Sequence, residues 1–119
     1  MAAKPLKFAK NRRLTGPAEF DRVKKEGRSE RGKFLVLGFL RTDGTSIRAG
    51  FVTSRAVGQA VVRNRVRRRL RDIVRQHQHE VRTGTWIVTI ARAPAANATY
   101  QELEGEWLRL AGRASILAA

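Results

Sequence analysis

The sequence predicts one mixed α/β domain with the element order α-β-β-α-β-α. Three patterns predict it: two apolar runs of strand length, an arginine-rich segment with helical spacing, and a third apolar run followed by a helix-capping pattern. A chain of 119 residues can bury a sizeable core but has no room for a second independent domain. We therefore expect the domain at residues 14–114, a flexible basic arm at 1–13 and a short tail at 115–119.

The first predicted element is a short helix that follows the basic arm. The arm is low in large apolar residues, and its Arg12 and Arg13 are expected to make auxiliary phosphate contacts. The run Thr15 to Pro17 marks the helix start, because proline is favoured in a first turn. Phe20 supplies an apolar position, and Gly27 is a natural terminator.

Two apolar runs then predict two strands. Residues 34–40 form the first, and residues 47–54 are expected to be its antiparallel partner across a turn signal at 42–44. In the second strand, one alternate set of residues is more apolar than the other, which predicts a core face and an open face that can carry a ligand. An additional short strand is expected near residues 27–31.

The most informative segment is an arginine-rich helix predicted over residues 59–79. Its core positions are one arc of the helical wheel: Val66, Leu70, Ile73 and Val74. Its arginines follow one flank and the solvent side: Arg63, Arg65, Arg67, Arg68, Arg69, Arg71 and Arg75. A solvated face that carries charge for solubility normally mixes signs, and like charges four residues apart reduce stability. The row therefore indicates a polyanionic partner.

The last elements are a strand at residues 86–91 and a helix that begins at a capping box formed by Thr99 and Glu102. Trp107 lies in this helix and is assigned to packing. The strand-helix-strand passage over residues 47–91 is normally a right-handed crossover.

Composition limits the classes of function. The formal charge is +15, from 25 Lys and Arg against 10 Asp and Glu, and it implies RNA, DNA or an acidic membrane surface as partner. The sequence has no apolar stretch near about 18 residues and no signal peptide, so we expect a cytoplasmic protein without a membrane partner. The absence of cysteine excludes disulfides, thiolate chemistry and cysteine-based zinc sites.

The sequence predicts no catalytic residue and no metal ligand in the protein. His77 and His79 are two residues apart on a helix and point to different sides. Glu102 and Glu106 share a helix face, but structural use is the better interpretation because Glu102 belongs to the capping box. No glycine-rich phosphate loop is present.

The segment GFVTSRAVGQAVVRNRVRRRLR at residues 50–71 resembles the signature of the bacterial ribonuclease P protein component, in which Val-Gly-x-Ala-Val leads into Arg-Asn-Arg and a basic helix. Residues 19–29 are similar to the first helix of that family, and residues 87–92 to its late strand. Residues 99–103 are similar to the start of its last helix.

The resemblance implies a two-layer α/β sandwich like ribosomal protein S5 domain 2, with a mixed sheet and the basic helix in a left-handed crossover. That hand would be an exception to the usual rule. It also implies the small subunit of a ribonucleoprotein endonuclease that removes the 5′ leader from precursor tRNA. The active site is then expected in the RNA, with magnesium held mainly by RNA. The implied partners are the catalytic RNA and precursor tRNA, with the protein alone a monomer.

The resemblance and the residue pattern together give two groups of site residues. Those expected to bind the catalytic RNA are Arg55, Arg63, Asn64, Arg65, Arg67, Arg68 and Arg71. Those expected to form a leader-binding cleft are Phe20, Lys24, Val36, Arg48, Val52 and Ser54. Lys24 and Gly38 stand where the family often has aromatics, so leader binding is expected to rely more on phosphate contacts and to depend more steeply on salt.

Other functions stay open from the sequence. A ribosomal or RNA-assembly protein would bind structured RNA without promoting turnover. A DNA-binding helix-turn-helix module is disfavoured because the basic helix lies between strands and its arginines cover a wide arc. A metal-dependent nuclease acting alone is the least favoured, because the carboxylates are scattered.

Overall fold

The computed structural model describes residues 13–14 and 16–118. Within them, the helices are α1 (Gly16–Glu26), α2 (Ala60–His77) and α3 (Tyr100–Arg113). The strands are β1 (Arg28–Arg31), β2 (Leu35–Arg41), β3 (Arg48–Thr53) and β4 (Thr85–Ala91). Short 3₁₀ turns lie at residues 55–57, 78–80 and 93–97. The predicted elements are confirmed, including β1 as the additional strand. Of the arm predicted at residues 1–13, all but Arg13 lies outside the described residues.

The strands form one mixed sheet in the order β1-β2-β4-β3. β2 is antiparallel to β1 and β4, while β3 is parallel to β4. The prediction that β2 and β3 pair directly as a hairpin is wrong, because β4 lies between them. The parallel pair β3 and β4 is joined by α2, as a crossover connection requires.

The loop after β2 crosses the start of β4 instead of folding back into a hairpin. The backbone nitrogen and the Oγ1 of Thr42 both donate to the carbonyl oxygen of Gly84, each at 2.8 Å. Gly84 has a positive φ of 80°, and a β-carbon there would lie 2.4 Å from the carbonyl oxygen of Gly44. Only glycine allows the two segments to cross at this distance.

One face of the sheet is covered by α2 and α3, and this is the main core. The four α2 residues predicted to face the core are all buried: Val66, Leu70, Ile73 and Val74. Trp107 of α3 is fully buried and donates from Nε1 to Thr89 Oγ1 at 3.2 Å, which confirms its packing role. α1 packs on the opposite face, where Val23 joins Leu14 and Val88 in a smaller cluster.

Acidic residues of α3 have structural partners. The predicted capping box is present, since Glu102 N donates to Thr99 Oγ1 and Thr99 N donates to Glu102 Oε1. The Glu106 carboxylate is buried and accepts from the backbone nitrogens of residues 33–35 at 2.6 to 2.9 Å. Beyond α3, Ile116 is buried and Ala118 N donates to the carbonyl of Glu80, so these residues pack on the domain.

Candidate nucleic-acid interface

The face of the sheet that carries α1 is only partly covered. Strand register arranges its side chains in three rows across β2, β4 and β3. The rows are Leu40-Trp86-Arg48, Gly38-Val88-Gly50 and Val36-Ile90-Val52. The first two rows lie in the region of α1, where the second contacts Phe20 and Val23. The third row is partly open to solvent, and Val52 at its end is 36% exposed.

A cleft of about 430 Å³ lies between α1 and this sheet face. Four of the six residues predicted for a leader-binding cleft line it: Phe20, Lys24, Val36 and Val52. Gly38, which stands where the family resemblance implies an aromatic of the cleft, lines it as well. The lining residues that were not predicted from the sequence are Val23, Arg28, Ser29, Val88 and Ile90. Its described lining residues include two exposed cations and no carboxylate, so the cleft has an apolar floor and a positive rim.

Phe20 belongs to α1 and also lines the cleft. Its ring is half-buried against Gly50, where a β-carbon would lie 2.5 Å from Phe20 Cζ. Gly38, in the same row, has more room, since a β-carbon there would meet only ordinary contacts of 3.7 Å or more with Val23 and Val88. The absent side chain at Gly38 therefore leaves space in the cleft, and exposed Lys24 stands at its rim.

Arg48 and Ser54 are not among the lining residues of the cleft. Arg48 lies on the predicted face of β3, but its guanidinium makes an ion pair with Glu19 Oε2 at 2.5 Å. It also lies 5.3 Å from the centre of the Trp86 ring, and Arg22 lies 5.1 Å from that ring. Ser54 is exposed just beyond β3, where the chain turns toward α2.

The arginines of α2 divide into anchored and free side chains. Three of them donate to other elements: Arg65 to the carbonyl of Ala96, Arg67 to Thr53 Oγ1 and Arg69 to the carbonyl of Ala98. Within the described part of the chain, four predicted site residues are exposed and make no side-chain hydrogen bond or ion pair: Arg55, Asn64, Arg68 and Arg71. Arg63 is half-buried, and its Nε has no partner there.

A second cavity of about 540 Å³ lies on the solvent side of α2, next to the start of α3. Its lining includes the predicted contacts Arg13, Arg68 and Arg71 together with Asp72 and Tyr100. Arg13 is exposed and bridges to Ala49 at the edge of β3, whereas Arg12 lies outside the described residues. No site role was predicted for Tyr100, because it is distant in sequence from α2.

The histidines and carboxylates form no metal site. Among residues 13–14 and 16–118, no group of three His, Cys, Asp or Glu side chains lies close enough to hold a metal ion. His77 is held between Glu80 and Glu104, with its two ring nitrogens 2.5 and 2.9 Å from their carboxylate oxygens. No helix in the same described ranges is long and apolar enough to cross a membrane.

Comparison with known proteins gives a consistent family match. A family model described as Ribonuclease P matches residues 8–115 of this chain. The ribonuclease P protein component of Symbiobacterium thermophilum is 41% identical over 106 residues, which cover 88% of this chain and 92% of that protein. The corresponding protein of Syntrophomonas wolfei is 31% identical over 109 residues, covering 92% of each chain.

The fold is similar to a solved structure as well. The RNase P protein of Staphylococcus aureus superposes with a TM-score of 0.83 at 26% identity, over 91% of this chain and 99% of that one. The similarity in fold therefore extends over most of the domain.

Proposed function

The chain belongs to the ribonuclease P protein family, and we propose that its two surfaces hold two RNAs: the catalytic RNA along the free arginines of α2, and the 5′ leader of precursor tRNA in the cleft beside α1. As the protein component of ribonuclease P, it works with the ribonuclease P RNA in an endoribonuclease that processes tRNA. The division between the two surfaces is the proposal.

The observation that carries the leader proposal is the composition of the cleft. Val36, Val52 and Ile90 form an apolar row on which unpaired bases can lie, and Lys24 and Arg28 at the rim can neutralise phosphates. Proteins that bind single-stranded nucleic acid without strong sequence preference combine a cationic groove with side chains on which the bases lie, most often aromatic ones. Among the described residues of this lining, Phe20 alone offers an aromatic ring, so phosphate contacts contribute a large share and binding depends steeply on salt.

The free arginines of α2, together with Arg55 in the 3₁₀ turn before it, support the proposed contact with the catalytic RNA. Arg55, Arg68 and Arg71 are exposed, and their guanidinium groups can grip phosphates with two donors. The anchored arginines hold α2 against its neighbours, which keeps the free ones on a rigid surface. Neutralising their mutual repulsion is a further reason for a polyanion to bind there.

The protein's contribution follows from linking these two surfaces in one rigid domain. Once the arginine surface is bound to the catalytic RNA, leader binding in the cleft becomes intramolecular within the complex. Mature tRNA has no leader, so the cleft contacts favour precursor over product. The protein thereby adds substrate affinity and discrimination while supplying no acid, base or nucleophile.

The magnesium that the family resemblance implies is proposed to be held by RNA, because the described carboxylates and histidines do not fit a metal site. Bound there, it would supply charge neutralisation at the reacting phosphate. No step of the proposal uses a protein side chain as its ligand.

The test is cleavage of a 5′-extended precursor tRNA at near-physiological magnesium by a bacterial ribonuclease P RNA alone, by the protein alone, and by both. We expect strong cleavage only with both. Tight RNA binding without enhancement would instead favour the structural RNA-binding alternative. Cleavage by the protein alone would mean that the chain contains an active site.

A further inference from the structure

The cavity beside α2 and α3 combines cations with an aromatic ring. Arg13, Arg68 and Arg71 are exposed around it, and the half-buried Tyr100 supplies part of its wall. Its volume of about 540 Å³ falls within the range of about 300–1,000 Å³ that is typical of small-ligand sites. Guanidinium planes and a tyrosine ring are the groups on which unstacked RNA bases lie, and guanidinium groups also bind phosphate.

Asp72 is the single carboxylate in this lining, and its oxygens are already engaged. Oδ2 accepts from the Tyr100 hydroxyl at 2.7 Å and from Gln76 Nε2 at 3.0 Å, and Oδ1 pairs with Arg75 Nη2. Burial and the hydrogen bond to Asp72 raise the pKa of Tyr100 well above its usual value, so its hydroxyl remains a donor. Asp72 therefore fixes the Tyr100 ring and the Arg75 side chain across the junction of the two helices.

We infer that this cavity takes one unstacked nucleotide of the catalytic RNA, with its base against Tyr100 and its phosphate among Arg13, Arg68 and Arg71, and that Asp72 is the positioning residue. The inference rests on the proposed function. A positioning role also explains why Asp72 lies among the arginines of an RNA-binding surface, where its negative charge by itself would weaken RNA binding.

The catalytic RNA is assigned as the source because the two cavities are separate. The leader cleft lies on the sheet face that carries α1, while this cavity lies outside α2, which covers the other face. The part of the chain that the structure describes contributes no residue to both linings. A leader strand in the cleft would have to leave it and pass around the sheet edge to reach Tyr100.

Asp72→Asn distinguishes a positioning role of Asp72 from its general repulsion of RNA, because the two predict changes in RNA affinity of opposite sign. Removal of one carboxylate raises the formal charge of +15 by one, which alone strengthens RNA binding. We expect instead that Asp72→Asn weakens binding of the ribonuclease P RNA about threefold or more, since asparagine cannot hold Tyr100 and Arg75 in the same way. Asp43→Asn, the same chemical change at an exposed loop residue, is the matched control and should bind equally or slightly more tightly.

Tyr100 provides the second variant. Tyr100→Leu should weaken RNA binding about tenfold by removing the ring, while Tyr100→Phe keeps the ring and should lose less. Thermal unfolding of each variant shows whether the domain is folded at the assay temperature. Unchanged or tighter binding by folded Asp72→Asn together with unchanged binding by folded Tyr100→Leu would overturn the inference.

Assays with the complete ribonucleoprotein distinguish the two proposals. With protein saturating, the KM for precursor tRNA should be unchanged in Asp72→Asn and Tyr100→Leu. A raised KM with normal affinity for the catalytic RNA would overturn the assignment to that RNA. If wild-type protein does not enhance cleavage at all, the proposed function fails, whereas normal enhancement with insensitive Asp72 and Tyr100 variants removes only this inference.

Discussion

The ring of Phe20 lies against the backbone of Gly50, with Cζ 2.5 Å from the point where a β-carbon would stand. This close contact seats α1 on the sheet and closes one end of the cleft. It also restricts the stacking role predicted for Phe20, because part of the ring is used in packing. Gly38 lies in the same row of the sheet, on the other side of Val88, and leaves open space.

Gly50→Ala should therefore move the Phe20 ring toward the cleft. We expect the free energy of unfolding to fall by about 1–3 kcal/mol from overpacking, with weaker binding of leader-bearing precursor to the ribonucleoprotein. Gly38→Ala is the matched control, since its new methyl group meets only ordinary contacts and should leave stability nearly unchanged. Denaturant unfolding measures the stability of both variants, and KM for precursor measures leader binding by Gly50→Ala. Equal stability of the two variants would contradict the packing role of Gly50.

A negative charge on the cleft floor should oppose leader binding. Val52→Asp places a carboxylate at the end of the open row, where the side chain is already 36% exposed and the domain can tolerate it. We expect a raised KM for precursor with a 5′ leader, and unchanged affinity for the ribonuclease P RNA. Thr83→Asp adds the same charge at an exposed turn outside the cleft and should change neither quantity. A normal KM for Val52→Asp would argue that the leader lies elsewhere.

Substitution of Arg67 should reduce both RNA binding and stability, whereas substitution of its neighbour Arg68 should reduce RNA binding only. Arg68→Ala removes an exposed side chain with no described partner, so the log-log salt slope of RNA binding should fall by about one if it neutralises one phosphate. Arg67→Ala should reduce that slope too. It also breaks the 2.7 Å hydrogen bond from the charged guanidinium to Thr53 Oγ1, which is worth about 1.5–3 kcal/mol of stability. Salt titrations and thermal unfolding check both. An unchanged slope for Arg68→Ala would mean that the side chain faces solvent in the complex.

Elements with a local signal were predicted correctly from the sequence. The spacing of Val66, Leu70 and Ile73 defines the buried face of α2 within the helix itself. The Thr99 and Glu102 capping box likewise depends on residues three apart. The mistaken hairpin shows the opposite case, because Thr42 and Gly84 are 42 residues apart and no local pattern indicates that β4 enters between β2 and β3.

In the candidate site, too, local patterns were predicted from the sequence and contacts between distant residues were not. Alternation placed Arg48 on the correct face of β3, but it could not show that Glu19 and Trp86 would engage it at the covered end of that face. Val88 and Ile90 alternate with residues that are also buried, so β4 gave no polarity difference to mark its cleft side.

Glu106 should be the most sensitive carboxylate for stability. Glu106→Ala leaves the backbone nitrogens of residues 33–35 without their acceptor. Lys33 is exposed and Phe34 is half-buried, but Leu35 is buried, so we expect the free energy of unfolding to fall by about 1–3 kcal/mol. Glu106→Gln keeps one carbonyl oxygen and should lose less. Arg109→Ala, which removes the exposed partner of Glu106, should change stability by about 0–1 kcal/mol. Chemical denaturation distinguishes these values. Similar losses for Glu106→Ala and Arg109→Ala would show that the hydrogen bonds from the backbone nitrogens to Glu106 contribute little to stability.

His77 should make stability depend on pH near neutrality. Burial lowers the pKa of His77, but the hydrogen bonds and charges of Glu80 and Glu104 outweigh it, so the folded pKa lies above the ordinary value of 6.5. Protonated His77 therefore stabilises the fold fully below about pH 6.5, and this stabilisation is lost as the pH rises through the folded pKa. His77→Gln should flatten the decline in unfolding free energy over that interval. His79→Gln is the control, because the His79 side chain is 75% exposed and should leave the pH profile unchanged. A wild-type profile that does not fall between pH 6.5 and alkaline pH, or one that His77→Gln does not alter, would show that the bridge between α2 and α3 does not depend on the charge of this imidazole.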